Sequence, residues 1–403
     1  MKERKLVPKR RFEEFQKTDD WKQYKLIEVA RYRNGKAHEK DVSEAGNFIV
    51  VNSKFVSTNG EIKKFTDKQI EPLEKNEIAF VLSDVPNGRA VARTYLVPVD
   101  NKYSLNQRIA GITPHDNTNP YFISELMNRH SYFLQFDDGV GQTNLSKKDV
   151  EDFEEFYPIF EEQQKIGNFF KHLDQMISLE QRKLEKTKAL KSAYLAEMFP
   201  AEGERVPKRR FARFTGEWTE MKLKDISEIV GGGTPSSTKE EFWNGDIDWY
   251  SPTEIGNKVY ANNSIRKITK MGYEKSSAKM LPADKTILFT SRAGIGSMAI
   301  LKKQASTNQG FQSIVLKSGI DTYFIYSMGY LIKSYAISKS SGSTFLEISG
   351  KTLGEMPIVI PSFEEQLKIG EFFKKLDESI SNHQQKLNKL QAMKQAYLEE
   401  MFV

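Results

Sequence analysis

Asparagine, glutamine, arginine, serine and threonine cluster in short, mostly glycine-bearing runs. They are Asn52, Ser53 and Lys54 in NSKFVSTNG; Asn106, Gln107 and Arg108 in LNQR; Arg292 in TSRAG; Asn308, Gln309 and Gln312 in TNQGFQS; and Ser343 and Thr344 in SGST. Arginine and lysine bind guanine edges, asparagine and glutamine bind adenine edges through two bonds, and serine or threonine takes either role. Neighbouring glycines let backbone come close to a ligand. Together the five runs predict a nucleic-acid surface. For any one residue, a polar turn in which Asn308 or Gln309 merely satisfies backbone groups is an equal alternative. The basic segment VPKRRF, at residues 7–12 and again at 206–211, suits phosphate contact or a solvated face.

Other chemistry lacks its residues. There is no cysteine, which removes disulfides, thiolate metal sites and cysteine nucleophiles. His38, His115, His130, His172 and His383 have neither i, i+4 nor HExxH spacing, so no zinc site is expected. GIGSMA (Gly294 to Ala299) fits G-x-G-x-x-A, but the following ILKKQAS is too short and β-rich for the helix a dinucleotide fingerprint needs, and predicts strand-turn-strand. GGGTPSSTK (Gly231 to Lys239) lacks the Gly-Lys-Ser/Thr ending of a phosphate loop and reads as a turn. TNPYF (Thr118 to Phe122) lacks the second proline of a methyltransferase Asn-Pro-Pro-Tyr box and reads as a loop entering the helix YFISELM. No grouping of nucleophile, base and orienting residue can be named, so catalysis by this chain is not indicated.

Composition sets wide bounds. The 403 residues allow two to four domains, and 38% hydrophobic residues can fill real cores. A net charge of +6 with 28% charged residues is a mild bias toward an anionic partner. No apolar run is long enough to span a membrane, and Met1 is followed by KERKLVPKRR without an apolar signal-peptide region. A cytoplasmic chain without membrane contact is expected.

The elements that must position the polar runs come in duplicate. VPKRRFEEFQKTDDW returns as VPKRRFARFTGEW, and residues 157–199 laid on 360–402 share about 27 identities in 43 positions. Each copy holds a basic leading segment, a divergent domain of about 140 residues and a long helix. In the helix, Ile166, Phe170, Leu173, Ile177, Leu184 and Tyr194 follow one another in steps of four and three or sums of these, as do Ile369, Phe373, Leu376, Ile380, Leu387 and Tyr397. This is an a/d seam interrupted by polar residues, among them Glu180, Lys191 and Lys394. Ser362 and Glu365 predict a capping box that the first copy, with Ile159, lacks. About 37 residues at roughly 1.5 Å each make a helix near 55 Å long, more than a domain of this size needs. The alternative is two amphipathic helices, each lying on its own domain. A short linker after Phe199 starts the second domain beside the end of the first helix, which favours an antiparallel pair with a domain at each end and a pseudo-two-fold axis.

The fold class expected is α+β. Two mixed α/β domains, at 1–157 and 215–360, flank an antiparallel coiled coil of helices at 158–199 and 361–403, with a linker at 200–214. FIVVN, EIAFVLS and RTYLVPV read as strands of the first domain, with turns at Asn59-Gly60 and Asn87-Gly88. DIDWYS, KTILFTS, SMAILKK and FQSIVLK read as strands of the second, followed by helical DTYFIYSMGYLIKSYAISKS. Asn106-Gln107 answers Asn308-Gln309, and Gly139 stands opposite Gly342.

The tandem halves, the P.FEEQ.KIG.FF..LD..I helices and GGGTPSST...FWNGDIDWYSPTEI closely resemble the specificity subunit of type I restriction-modification enzymes, over almost the whole chain. The resemblance implies that each divergent domain is a target-recognition domain reading one half of a bipartite, asymmetric site in double-stranded DNA. It implies that the paired helices set the spacer and bind two modification subunits, which carry the S-adenosylmethionine chemistry. Restriction subunits would supply ATP- and Mg-dependent translocation and cleavage, and this chain would bind no cofactor. The first domain lacks the GGGTP and NGDIDW landmarks of the second. The helix length implies half-sites about 34 Å apart. A coiled-coil adaptor that reads no DNA is the alternative.

Overall fold

The computed structural model describes residues 7–38, 42–85, 88–292, 294–342 and 346–403. The chain forms two compact units, Met1–Glu180 with Lys386–Val403, and Gln181–Gln385. The boundaries expected from sequence set each long helix apart as a region. Each long helix runs through both units, and its two segments add their apolar side chains to different cores.

In the first unit the chain runs through β1 (Lys22–Lys25), β2 (Ala30–Asn34), β3 (Phe48–Val51), α1 (Ser53–Ser57), β4 (Ile78–Val81), β5 (Tyr103–Leu105), β6 (Ile109–Pro114), α2 (Pro120–Met127), β7 (Glu154–Tyr157) and α3 (Phe160–Met198). β6 lies between β2 and β4, antiparallel to both. β3 and β5 pair in parallel in a second sheet. β1 and β7 join antiparallel and tie the two ends of the domain together. Every residue of β4 is buried, as a continuous apolar run packed on both faces requires.

The second unit repeats this plan with β8 (Thr219–Lys222), β9 (Ser227–Gly231), β10 (Trp243–Tyr250), β11 (Thr286–Phe289), β12 (Met298–Leu301), β13 (Ser306–Thr307), β14 (Gln312–Leu316), α4 (Thr322–Ser327), β15 (Pro357–Ile360) and α5 (Phe363–Met401). β14 lies between β9 and β11, and β10 pairs in parallel with β13. Ladder register thus equates β2, β6, β4, β3 and β5 with β9, β14, β11, β10 and β13. The GIGSMA segment is the expected strand-turn-strand, β11 pairing antiparallel with β12. Asn119 of TNPYF caps α2, its Oδ1 accepting from Tyr121 N and Phe122 N at 3.0 Å, with Pro120 in the first turn. The segment read as one helix from Asp321 breaks at Met328, giving α4 and a helix at Gly329–Lys339. Asn59 and Gly60 both have positive φ, as their turn demands. Asn87 lies outside the described residues.

Both long helices have 39 residues. Within the first unit the start of α3 runs antiparallel to the end of α5: Phe169 meets Tyr397 edge-on at 4.9 Å, and Asp174 meets Lys394 at 2.8 Å. Within the second, the end of α3 runs antiparallel to the start of α5, with Tyr194 on Phe372 at 4.9 Å and Lys191 on Asp377. Of the seam residues, Ile166, Phe170, Leu173, Leu184, Ile369, Phe373 and Leu387 are buried, while Ile177, Tyr194, Leu376, Ile380 and Tyr397 are half-buried.

The capping box at Ser362 is only half made. Ser362 Oγ accepts from Glu365 N at 3.4 Å, but the Glu365 carboxylate pairs with Arg210 through two bonds of 2.7 Å. The first copy repeats that fork, Arg11 donating to Glu162 through two bonds of 2.7 Å. The VPKRRF arginines are therefore bound to the helices: Arg10 pairs with Glu400 and Arg209 with Glu197. Of each segment, the second arginine is thus committed to its helix, while Lys9, Arg10, Lys208 and Arg209 stay exposed.

Candidate nucleic-acid interface

In the second unit the polar runs meet at adjacent strand ends. Asn308 N donates to Tyr250 O at 3.0 Å and Ser291 N to Gly310 O at 2.8 Å, joining the ends of β10, β11 and β13. Gly233 N donates to Thr307 O at 2.9 Å, and Ile348 N to Ser291 O at 3.1 Å. The loops bearing GGGTP, TSRAG and TNQGFQS, and the segment after SGST, therefore form one edge. Gly232 must lack a side chain, since a Cβ there would lie 1.9 Å from Asn308 O.

Within this edge Asn308 Oδ1 accepts from Gly310 N at 2.8 Å, so its oxygen holds the turn, as the polar-turn alternative had it. Gln309 is exposed, and its Oε1 accepts from Thr234 Oγ1. Gln312 starts β14 opposite Gly231 and lies against Gly350. Arg292 is half-buried, and among the described residues no hydrogen bond or ion pair holds its guanidinium. Ser343 and Thr344 lie outside the described residues.

The NGDIDW landmark acts through Asp248. Burial opposes its charge, but bonds from Ser264 N at 3.0 Å and Oγ at 2.9 Å, with Lys267 nearby, keep its pKa below the ordinary value. Glu254 fastens the same loop by accepting from Ile265 N at 2.6 Å. These anchors leave Ile265 85% exposed and set Arg266 over the Trp243 ring at 3.8 Å. Arg266, Trp243 and Thr234 were missed as candidates because their grouping depends on the β10 register.

The first unit builds the same edge. Asn106 N donates to Val51 O, and Leu82 N to Arg108 O, both at 3.1 Å, and Leu145 N to Leu82 O at 2.8 Å. A Cβ on Gly35 would lie 2.0 Å from Asn106 O, so Gly35 does for the first domain what Gly232 does for the second. Its landmark is one glycine rather than GGGTP. The runs at 52–60 and 105–108 are therefore adjacent. Asn52 caps α1, its Oδ1 accepting from Phe55 N at 2.9 Å, which accounts for its side-chain oxygen structurally. Asn106 Oδ1 is buried and meets no donor among the described residues. Ser53 is half-buried, whereas Lys54, Gln107 and Arg108 are exposed. The loop marked in sequence only by Gly139 joins them: Gln142 Nε2 donates to Ser83 Oγ at 2.7 Å, and Asp138 Oδ1 accepts from Val140 N at 2.9 Å, presenting Val140 at 84% exposure. Backbone bonds hold the Asp138 carboxylate below its ordinary pKa.

Each edge thus offers fixed glycine-lined backbone with exposed amides and with cations that meet no carboxylate among the described residues, an arrangement that can donate to and accept from base edges and phosphates. Among the described residues no group of three or more histidine, aspartate or glutamate side chains could hold a metal ion, and no helix is long and apolar enough to cross a membrane.

Comparison with known proteins gives consistent findings. The family model for the type I restriction modification DNA specificity domain matches residues 18–189 and 215–392. The MjaIX specificity subunit of Methanocaldococcus jannaschii is 41% identical over 173 residues, 41% of this chain and 39% of that protein. The EcoR124I/EcoR124II specificity subunit of Escherichia coli is 31% identical over 167 residues, 40% of this chain and 41% of that protein. The matched part spans about two fifths of the length of each of these relatives. In fold, the chain resembles a type I restriction-modification S subunit from M. genitalium, with TM-score 0.66, 18% identity and 99% of both chains covered. It also resembles a chain from a study of assembly and conformational transition of the type I R-M system, with TM-score 0.52, 17% identity, and 95% of this chain and 97% of that one covered. With the specificity-domain model matched twice over most of its length, the chain belongs to the type I restriction modification DNA specificity domain family.

Proposed function

We propose that this chain is the non-catalytic, DNA-reading subunit of a type I restriction-modification complex. Each unit reads one half of a bipartite, asymmetric site in double-stranded DNA. The long helices carry two modification subunits, which bring S-adenosylmethionine to an adenine, and restriction subunits add ATP- and Mg-dependent cleavage. Such a subunit works in the cytoplasm, where its DNA is. One observation carries the reading: the same scaffold of strand-end loops is built twice and furnished with different polar side chains, Asn106, Gln107 and Arg108 in one unit and Arg292, Asn308 and Gln309 in the other. Duplication of the scaffold with divergence of its edge fits two readers of unlike sequences.

Domain exchange tests it. Residues 18–150 are replaced by the corresponding domain of another family member, the chain is assembled with modification subunits, and methylated adenines are mapped. One half of the site is expected to change and the other to persist; an unchanged site defeats the proposal. Binding across a salt series separates it from an adaptor, which would show no preference between duplexes.

A further inference from the structure

We infer that both half-sites contain a G·C pair read by a single arginine, and that the chain supplies this arginine from different loops, Arg292 in the second unit and Arg108 in the first. This rests on the DNA-reading role proposed above and assigns its specificity-determining cations.

Position-by-position equivalence hides the relation. Val81 pairs with Ile109, and Thr290 with Phe311. One residue on, Leu82 N donates to Arg108 O and Ser291 N to Gly310 O. The counterpart of Arg108 is therefore Gly310, and that of Arg292 is Ser83. In the second unit no side chain fits at 310: a Cβ there would lie 2.8 Å from Pro252 Cγ and 3.0 Å from Asn308 Oδ1. Arg292 crosses that position from the neighbouring loop, its Nε 3.6 Å from where the Cβ would be. In the first unit the residue equivalent to Pro252, two beyond the strand-end residue Val51 as Pro252 is beyond Tyr250, is Ser53. With Ser53 there and Ser83 in place of the arginine, Arg108 starts where Arg292 arrives. Arg108 is thus rooted at the position that the Arg292 side chain crosses in the other edge. Neither guanidinium is engaged among the described residues, whereas Arg10, Arg11, Arg33, Arg209 and Arg210 all are committed to carboxylates. A free, planar guanidinium beside fixed backbone suits the two acceptors of a guanine edge.

The test uses the full chain assembled with its modification subunits and a panel of duplexes, each with one base pair of the site exchanged. Arg108→Ala is expected to lose about 5- to 150-fold of the preference at one G·C pair of the first half-site, leaving the second half-site as it was. Arg292→Ala should do the converse. Arg108→Lys should keep part of the preference at that pair, since an ammonium can also donate to the guanine edge, whereas Arg108→Gln should not. Equal weakening on every duplex, a retained preference at all positions, or a loss confined to an A·T pair overturns the inference. If the unaltered complex shows no preference for any duplex, the DNA-reading role itself fails and takes the inference with it. A selective wild type with an indifferent Arg108→Ala overturns the inference alone.

Discussion

Arg10 and Arg11 are neighbours in one basic motif, yet their surroundings separate them. Arg11 is 8% exposed and grips Glu162, which is fully buried, while Arg10 and Glu400 stay in solvent at 54% and 39%. The fork raises the Arg11 pKa through its bond to Glu162, against the effect of burial. Truncating one partner of a buried pair leaves the other charge without compensation. Arg11→Ala is therefore expected to cost about 3 kcal/mol in denaturant unfolding, and Arg10→Ala far less; equal losses would contradict this account. Arg210 and Glu365 form the second copy of the pair. The sequence showed the arginines and the duplication, but their carboxylates lie 151 and 155 residues away, and local pattern carries no sign of that distance.

At the scale of elements, the polar residues that interrupt the seam become half-buried clasps. Lys394 reaches Asp174 at 2.8 Å and Glu125 of α2 at 2.9 Å, and Tyr121 Oη donates to Asp174 at 2.5 Å. Lys191 and Tyr323 hold Asp377 in the same way. Ser327 occupies the place of Glu125, so only the first unit carries a second carboxylate. Burial pushes the Glu125 pKa up, with Asp174 adding to the effect and Lys394 opposing it. Burial pulls Lys394 down, but the two carboxylates outweigh it and its pKa is raised. Because folded Glu125 holds its proton above the ordinary value of 4.5, its contribution to stability is complete below that pH and is lost as pH rises toward the raised value. Denaturant unfolding over a pH series should show this decline, and Glu125→Gln should flatten it. Glycine placement belongs to the same scale. Gly232→Ala would set a Cβ against Asn308 O, with an expected cost of about 1–3 kcal/mol for overpacking and weaker discrimination in the second half-site. Thermal melting and duplex competition check both effects.

At the scale of the whole molecule, the first unit is discontinuous in sequence. Its core includes Met401, with Tyr397, Leu398 and Phe402 packed against it, so deleting residues 386–403 should expose amides of α2 and β6 to hydrogen exchange while leaving β11 and β14 protected. Equal deprotection of both units would refute that division. The sequence by itself determined the duplication, the seam of the long helices, the mixed α/β class and the polar runs, because each is written in local spacing or in self-similarity along the chain. It missed β5 and the way β6 frames Asn106 and Arg108, since a short strand buried on both faces has no periodicity to betray it. The Asn52 and Asn308 oxygens are spent on local backbone, but only the tertiary structure decided that Gly35 matches Gly232 and that Arg108 is rooted at the position Arg292 crosses. These last two facts depend on strand register, which is set by the pairing of whole strands around a core and is not written in the few residues at the strand ends.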